Sequence, residues 1–291
     1  MTTLNSRKSH IACRLTPALS VLVAVAMFIQ WSAQASTITV FDLPGGDDTS
    51  AQGINNKGDI VGLSNGATST HGFLFAMGAF LLLDVPGALD TAPRGINSRG
   101  DIVGQYDVDG ITLHGFLRRG SSFTTIDFPG AANTPPNAIN ASGDIVGVYD
   151  DALNVHGFLL NTHGVFSPIN YPGVTDTEAY GINDQGDIVG SYGDAGGISH
   201  GFFLSKGNFR TIDFPGASQS EARGINASGD IVGVFINATG RHSFLFSGAT
   251  FTVIDVPGAT RTQARGINAR GDISGNYRDS SGITHGFLWT R

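Results

Sequence analysis

The stretch GINASGDIVG (224–233) decides the fold, because the chain writes it six times. GINNKGDIVG (53–62), GINSRGDIVG (95–104), AINASGDIVG (138–147) and GINDQGDIVG (181–190) precede it, and GINARGDISG (266–275) follows. Their starts lie 42 or 43 residues apart. Self-similarity at such a period marks a repeat architecture and outranks any local motif. A second signature follows each copy: His71, His114, His156, His200, His242 and His285, with Gly-Phe next in five copies and Ser243-Phe244 in one. A third is the D-x-P-G turn, FDLPG (41–45), LDVPG (83–87), IDFPG (126–130), INYPG (169–173), IDFPG (212–216) and IDVPG (254–258).

Each copy holds four strand-like runs. In the third they are NAIN (137–140), DIVGVY (144–149), HGFLL (156–160) and VFSPIN (165–170). An N-x-x-G turn separates the first two, with Gly supplying a positive φ. Four short strands in about 40–45 residues make one propeller blade. The rungs of a parallel β-helix would be half as long, and the two halves of this repeat do not resemble each other. The run TITVFD (37–42) stands alone before the first copy, while the last copy ends at HGFLW without a fourth strand. The N-terminal strand is therefore expected to complete the last blade. Closure of this kind removes the free sheet edges that template aggregation. The expected fold is all-β: one six-bladed propeller of four-stranded antiparallel blades over residues 36–291.

Composition agrees. Of 291 residues 41 are Gly, about twice the ~7% usual in soluble proteins, and all but two of the 24 acidic residues are Asp. Such a chain favours strands and tight turns over helices. Its apolar fraction of 41%, with 19 Phe, is enough for a sizeable core. Residues 1–35 read as a secretory signal. Arg7, Lys8 and Arg14 precede an apolar run over 18–29, and Ala33-Gln34-Ala35 supplies the cleavage site, giving a mature start at Ser36. That run is shorter than the ~20 residues a bilayer span needs. Cleavage removes Cys13, the one cysteine, so neither thiol chemistry nor a disulfide is expected in the mature chain. It also leaves 14 basic residues against 24 acidic ones, a net charge near −10. Such a surface repels phosphate backbones, so nucleic acid is not an expected partner. The address is secreted, periplasmic or cell-surface, and the chain is expected to be a monomer.

The G-I-N-x-x-G-D-I-V-G run followed by H-G-F-L resembles the HAF family of bacterial extracellular repeats, in which His-Ala-Phe follows an I-N-x-x-G…V-G core. Here Gly or Ser takes the place of that Ala. The resemblance covers all six units and implies an exported repeat protein, without a catalytic motif to transfer.

Every blade also carries an Asp after the tight turn (Asp59, Asp101, Asp144, Asp187, Asp230, Asp272) and a Thr or Ser before G-I-N (Thr49, Thr91, Thr134, Thr177, Ser220, Thr262). A metal site needs three or four ligands converging on one point, whereas six-fold repetition spreads these groups around a ring. The chain is similar in period to WD-repeat propellers, whose blades are stapled by a buried Asp-His-Ser/Thr network, and that similarity implies the same staple here. The D-x-P-G acids read as turn formers whose side chains bond the following backbone. Asn140, Asn226 and Asn237 match N-x-S/T, but two of them lie in the tight turns, and modification is not expected.

Function is sought where the repeats disagree. One face should carry the tight turns, and the other the longer variable loops. On the latter face lie Glu178 and Glu221, at equivalent positions of adjacent blades, and Arg94, Arg223 and Arg265, just before the innermost strand. These five are the candidate ligand contacts. No catalytic residue and no metal ligand is assigned. No cofactor is expected, although loops such as DVDG (107–110) could contribute to a calcium site. The reading is a non-enzymatic binding or structural scaffold for an extracellular protein or polysaccharide. Its alternative is a glycan-active hydrolase or lyase using Glu178 and Glu221 as paired carboxylates, which would require the acids and arginines to converge in one concave site.

Overall fold

Six four-stranded antiparallel sheets stand around a central axis in the computed structural model, which describes residues 36–46, 48–66 and 68–291. The leader expected over residues 1–35 lies outside them. Every regular element among the described residues is a strand. Blade 1 runs from the axis outward as Asp48–Ile54, Ile60–Asn65, Thr70–Ala76 and Ala79–Leu82. Blades 2 to 5 repeat this order from the inner strands Asp90–Ile96, Pro136–Ile139, Thr177–Ile182 and Gln219–Ile225. Blade 6 consists of Arg261–Ile267, Ile273–Arg278 and Thr284–Thr290, and the strand Thr37–Phe41 completes it. That last pairing is antiparallel, with Thr37 opposite Thr290 and Phe41 opposite Gly286. The ring is closed as the sequence predicts.

The turns follow their residues. In each N-x-x-G turn the Gly amide donates to the Asn carbonyl, 3.1 Å in blade 1, and Gly58 takes a φ of 90° that a side chain would resist. In each x-P-G-x turn Pro fixes the first central φ and Gly takes the positive second one, as at Pro86-Gly87, where Ala88 N donates to Val85 O at 3.0 Å.

The core lies between blades. Phe73, Phe116, Phe158, Phe202, Phe244 and Phe287, from the H-G-F signature, are all buried. Each ring lies over the Gly of its own V-G or S-G pair. A Cβ at Gly190 would fall 2.7 Å from the Phe202 ring and 1.9 Å from the Glu178 carbonyl, so only Gly fits. Branched residues of one blade, such as Val146 and Ile169, then pack on Ala179, Ile182 and Phe202 of the next. The one break in the His-Gly-Phe signature is accommodated with a new bond: Ser243 is buried and its Oγ accepts from Ala264 N of blade 6 at 2.8 Å.

The staples are split differently from the implied network. Each His pairs through Nδ1 with the D-x-P-G residue of the outer strand's end, not with the Asp after the tight turn. Examples are His71–Asp84 at 2.9 Å, His200–Asp213 at 2.7 Å and His156–Asn170 at 2.8 Å. These pairs sit at the partly exposed rim rather than in the core. Because the side chain of Asp84 is spent on His71 and on Gly72 N, it does not bond the following backbone. That role belongs to the Thr or Ser: Thr91 Oγ1 accepts from Val85 N at 3.0 Å, and Ser220 Oγ from Phe214 N at 3.0 Å. The Asp after the tight turn instead accepts from the turn Asn, as Asp101 does from Asn97 Nδ2 at 3.1 Å.

Candidate functional site: the central channel

All six inner strands start on the variable-loop face and end at the N-x-x-G turns, so equivalent residues form rings around the axis. At the turn end, each Asn donates through Nδ2 to the carbonyl of the next blade's Asn. The bonds run Asn55→Asn97, Asn97→Asn140, Asn140→Asn183, Asn183→Asn226, Asn226→Asn268 and Asn268→Asn55, at 3.1–3.3 Å. This closed ring of amides ties blade 6 to blade 1. Asn140 and Asn226, two of the three N-x-S/T asparagines, are buried in it.

One step toward the loop face, every inner strand carries a bulge. In blade 1 Ala51 pairs with Gly62 and Gly53 with Val61, so Gln52 has no partner. The same slip singles out Arg94, Asn137, Tyr180, Arg223 and Arg265. A bulge bends the strand and re-aims the extra side chain, and these six together line one axial cavity. The glycines that follow allow neighbouring strands to approach: a Cβ at Gly53 would fall 2.7 Å from the Arg94 carbonyl. The sequence places Arg94, Arg223 and Arg265 just before the innermost strand. The pairing places them within it, because the ladder continues on both sides of the bulge. Two residues earlier, nearer the loops, come Ser50 in blade 1, Glu178 in blade 4, Glu221 in blade 5 and Gln263 in blade 6.

The ring is electrostatically lopsided. In blades 4 and 5 opposite charges meet: Arg223 contacts Glu221 directly and lies 4.0 Å over the Tyr180 ring, and the Tyr180 hydroxyl donates to Glu178. Arg241 adds a second cation 3.6 Å from Glu221. Burial opposes the Arg223 charge, but Tyr180, Glu221 and Glu178 outweigh it and raise its pKa. Burial raises the Tyr180 pKa as well, with both glutamates adding to the effect. Both carboxylates are thus engaged, and neither lines the axial cavity. They are strand residues with fixed partners rather than solvated loop acids.

Blades 6, 1 and 2 lack such neutralisation. Among the described residues Arg94 donates only to the amide oxygen of Gln105, from Nε at 3.2 Å and Nη2 at 3.0 Å. Arg265 reaches Gln263 Oε1 at 3.2 Å, and its buried Nε has no partner. Protein surrounds both guanidiniums, although the channel leaves part of their surface reachable by water. Burial, followed by repulsion from Arg223 and Arg94, pushes the Arg265 pKa down to about 9. Burial and Arg223 lower that of Arg94. Between them sits Gln52, whose amide is turned to Ser50 Oγ at 2.8 Å.

All five residues singled out in the sequence therefore meet at the loop-side half of one channel. Gln52, Asn137, Tyr180, Gln105 and Arg241 were missed. The first three occupy the same repeat column as the arginines, and that alignment is the signal that finds them. Among the described residues no three or more His, Cys, Asp or Glu side chains gather as a metal site.

No family model and no curated protein matches the chain. Solved structures do. AofleA from Arthrobotrys oligospora superimposes with a TM-score of 0.57 at 10% identity, covering 87% of this chain and 86% of its own. The SapL1 lectin, in complex with alpha methyl fucoside, gives 0.56 at 9% identity, over 84% and 94%. A gluconolactonase from Xanthomonas campestris gives 0.52 at 12% identity, over 84% and 86%. Similarity at these identities is similarity of fold, and the chain is a six-bladed β-propeller.

Proposed function

We propose that this is an exported, non-enzymatic propeller of the HAF repeat class, beginning at Ser36 after signal cleavage. It acts as a binding scaffold for an extracellular polysaccharide or protein. The contact region is the loop-side mouth of the channel, with Arg94, Glu178, Glu221, Arg223 and Arg265 around it. The observation that carries this reading is the lopsided ring. Six-fold repetition holds the turns and core Phe constant and the staples nearly so, yet at the bulge column it gives way to four residue types, three Arg with one Gln, one Asn and one Tyr. A column that only built the blade would repeat as the others do. A lectin among the fold neighbours is compatible with the reading. Glu178 and Glu221 support catalysis poorly, since a general acid and base must be free to exchange protons with substrate, and here both are held by Tyr180, Arg223 and Arg241.

A thermal-shift panel on residues 36–291 with neutral and acidic oligosaccharides and with calcium tests this. A saturable rise in Tm with a glycan, without release of new reducing ends, is expected. Release of reducing ends that disappears in Glu178→Gln or Glu221→Gln would replace the scaffold with the hydrolase or lyase.

A further inference from the structure

Beside the axial cavity a cleft of about 230 Å³ opens between blades 6 and 1 toward the variable-loop face. Arg94 and Arg265 form its inner wall and Arg261 its outer one. Its one acid among the described residues, Asp48, has an oxygen fixed by Thr284 N at 2.6 Å. The rest of its polar lining is neutral, with the amides of Gln52, Gln263 and Asn276 and the hydroxyl of Ser50. Three cations thus face one occupied carboxylate, in a protein whose mature net charge is strongly negative. Within this wall a buried guanidinium N–H of Arg265 lacks an acceptor. Burying an unpaired donor on a cation costs free energy unless something accepts from it. Among the described residues neither Arg94 nor Arg265 has a carboxylate partner.

Resting on the scaffold reading above, we infer that the missing partner is a carboxylate carried by a sugar: the cleft binds a uronate residue of an acidic polysaccharide. Its carboxylate sits between Arg94 and Arg265 over Gln52, where guanidinium forks match its two oxygens. Its ring hydroxyls meet the amides and Ser50, groups that can both donate and accept. A free inorganic anion would use the cations and leave the amide wall idle. An acidic protein side chain would do the same.

The test compares trigalacturonate and triglucuronate with fully methyl-esterified trigalacturonate and with sulfate, at fixed ionic strength, by calorimetry and thermal shift. One of the two uronates should bind saturably and raise Tm by roughly 5–10 °C at about 100 times its Kd. The ester, which keeps the sugar and loses the charge, should bind at least ten-fold more weakly, and sulfate should not compete. Arg265→Gln should abolish uronate binding while keeping the propeller folded, and Arg94→Gln provides the same readout at the facing group. Equal binding of ester and acid, equal competition by sulfate, or uronate binding unchanged in both variants would overturn the inference. So would silence toward both uronates. If a neutral oligosaccharide then still binds, the scaffold reading survives alone, and if no glycan binds, the inference and the polysaccharide form of that reading both fail.

Discussion

At the rim, His71, His114, His156, His200, His242 and His285 meet an equivalent partner in every blade, an Asp five times and an Asn once. At the channel wall the equivalent positions carry Gln52, Arg94, Asn137, Tyr180, Arg223 and Arg265: in blades 4, 5, 6 and 1 they bond the side chain two residues earlier, a carboxylate, a carboxylate, an amide and a hydroxyl in turn, while Arg94 and Asn137 bond elsewhere. Both sets hang on the same backbone, repeated with the same period. The rim satisfies each polar group locally, so a single solution can be copied. The channel brings six positions onto one axis, where copies would repel one another, and divergence at that column is both tolerated and informative. Repetition in this molecule reports what holds each blade, and its failure marks the candidate contact surface.

The sharpest way to break that comparison is at the amide ring, which is copied like the rim but lies on the axis. Asn183 accepts from Gln185 N and Asp187 N and donates to Asp187 Oδ2 and Asn226 O. Asn183→Ala removes all four bonds from a buried turn. It should cost about 2–4 kcal/mol, since each buried group left unsatisfied costs about 1–3 kcal/mol and part is recovered by water. Urea unfolding of the variant measures this. A loss below about 0.5 kcal/mol would mean that the ring is incidental to closure.

The same ring shows how far the sequence could be read. Blade count, strand order, the Gly turns and closure by residues 37–41 were legible because each follows from spacing along one chain. Partner choice was not. Five of the six repeats offer two Asp at the same period, and periodicity cannot tell which one lies beside the His. Only the register does, by setting Tyr192 opposite His200 and bringing the outer strand's end to the same rim. The bulge was hidden for a similar reason. Whether Arg223 points along the blade or into the channel depends on a one-residue slip between Ala222 and Gly224 that exists only in the pairing. Arg241 was missed because its contact with Glu221 joins the third strand of blade 5 to the first, across a loop of no fixed length.

A smaller effect of opposite sign is expected at the channel. Arg265 faces Arg94, Arg223, Glu221 and Tyr180, and its charge is buried against two like charges. Arg265→Gln should therefore stabilise the unliganded propeller at pH 7 by about 1–2 kcal/mol, as replacement of buried ions often does. The pH dependence follows from the depressed pKa. Below pH 9 the group is protonated in both folded and unfolded chains, and the full penalty stands. As pH rises through about 9 the folded wild type sheds the proton while the unfolded chain keeps it, so the wild type regains stability. The advantage of the variant should be flat from pH 6 to 8 and shrink by pH 10.5. A variant less stable than wild type at pH 7 would make Arg265 a structural residue like those of the rim.

The smallest expected effect sharpens the rim itself. His200 is opposed by burial, but Asp213 and, more distantly, Asp194 at 3.6 Å raise its pKa above the ordinary value. A raised folded pKa means stabilisation that is complete below about pH 6.5, where both states are protonated, and lost as pH climbs through the folded value. Asp213→Asn copies what blade 3 already has at Asn170, keeping one acceptor and deleting the charge. The variant should lose roughly 1 kcal/mol for the forfeited second acceptor, which Gly201 N now uses at 3.2 Å. A few tenths more should be lost at pH 5.5 than at pH 8.5, modest because the pair is partly exposed and screened. Tm measured on both proteins at the two pH values isolates that increment. If the difference between them does not change with pH, the rim staple works as a neutral hydrogen bond, and blade 3 with its amide is the general case rather than the exception.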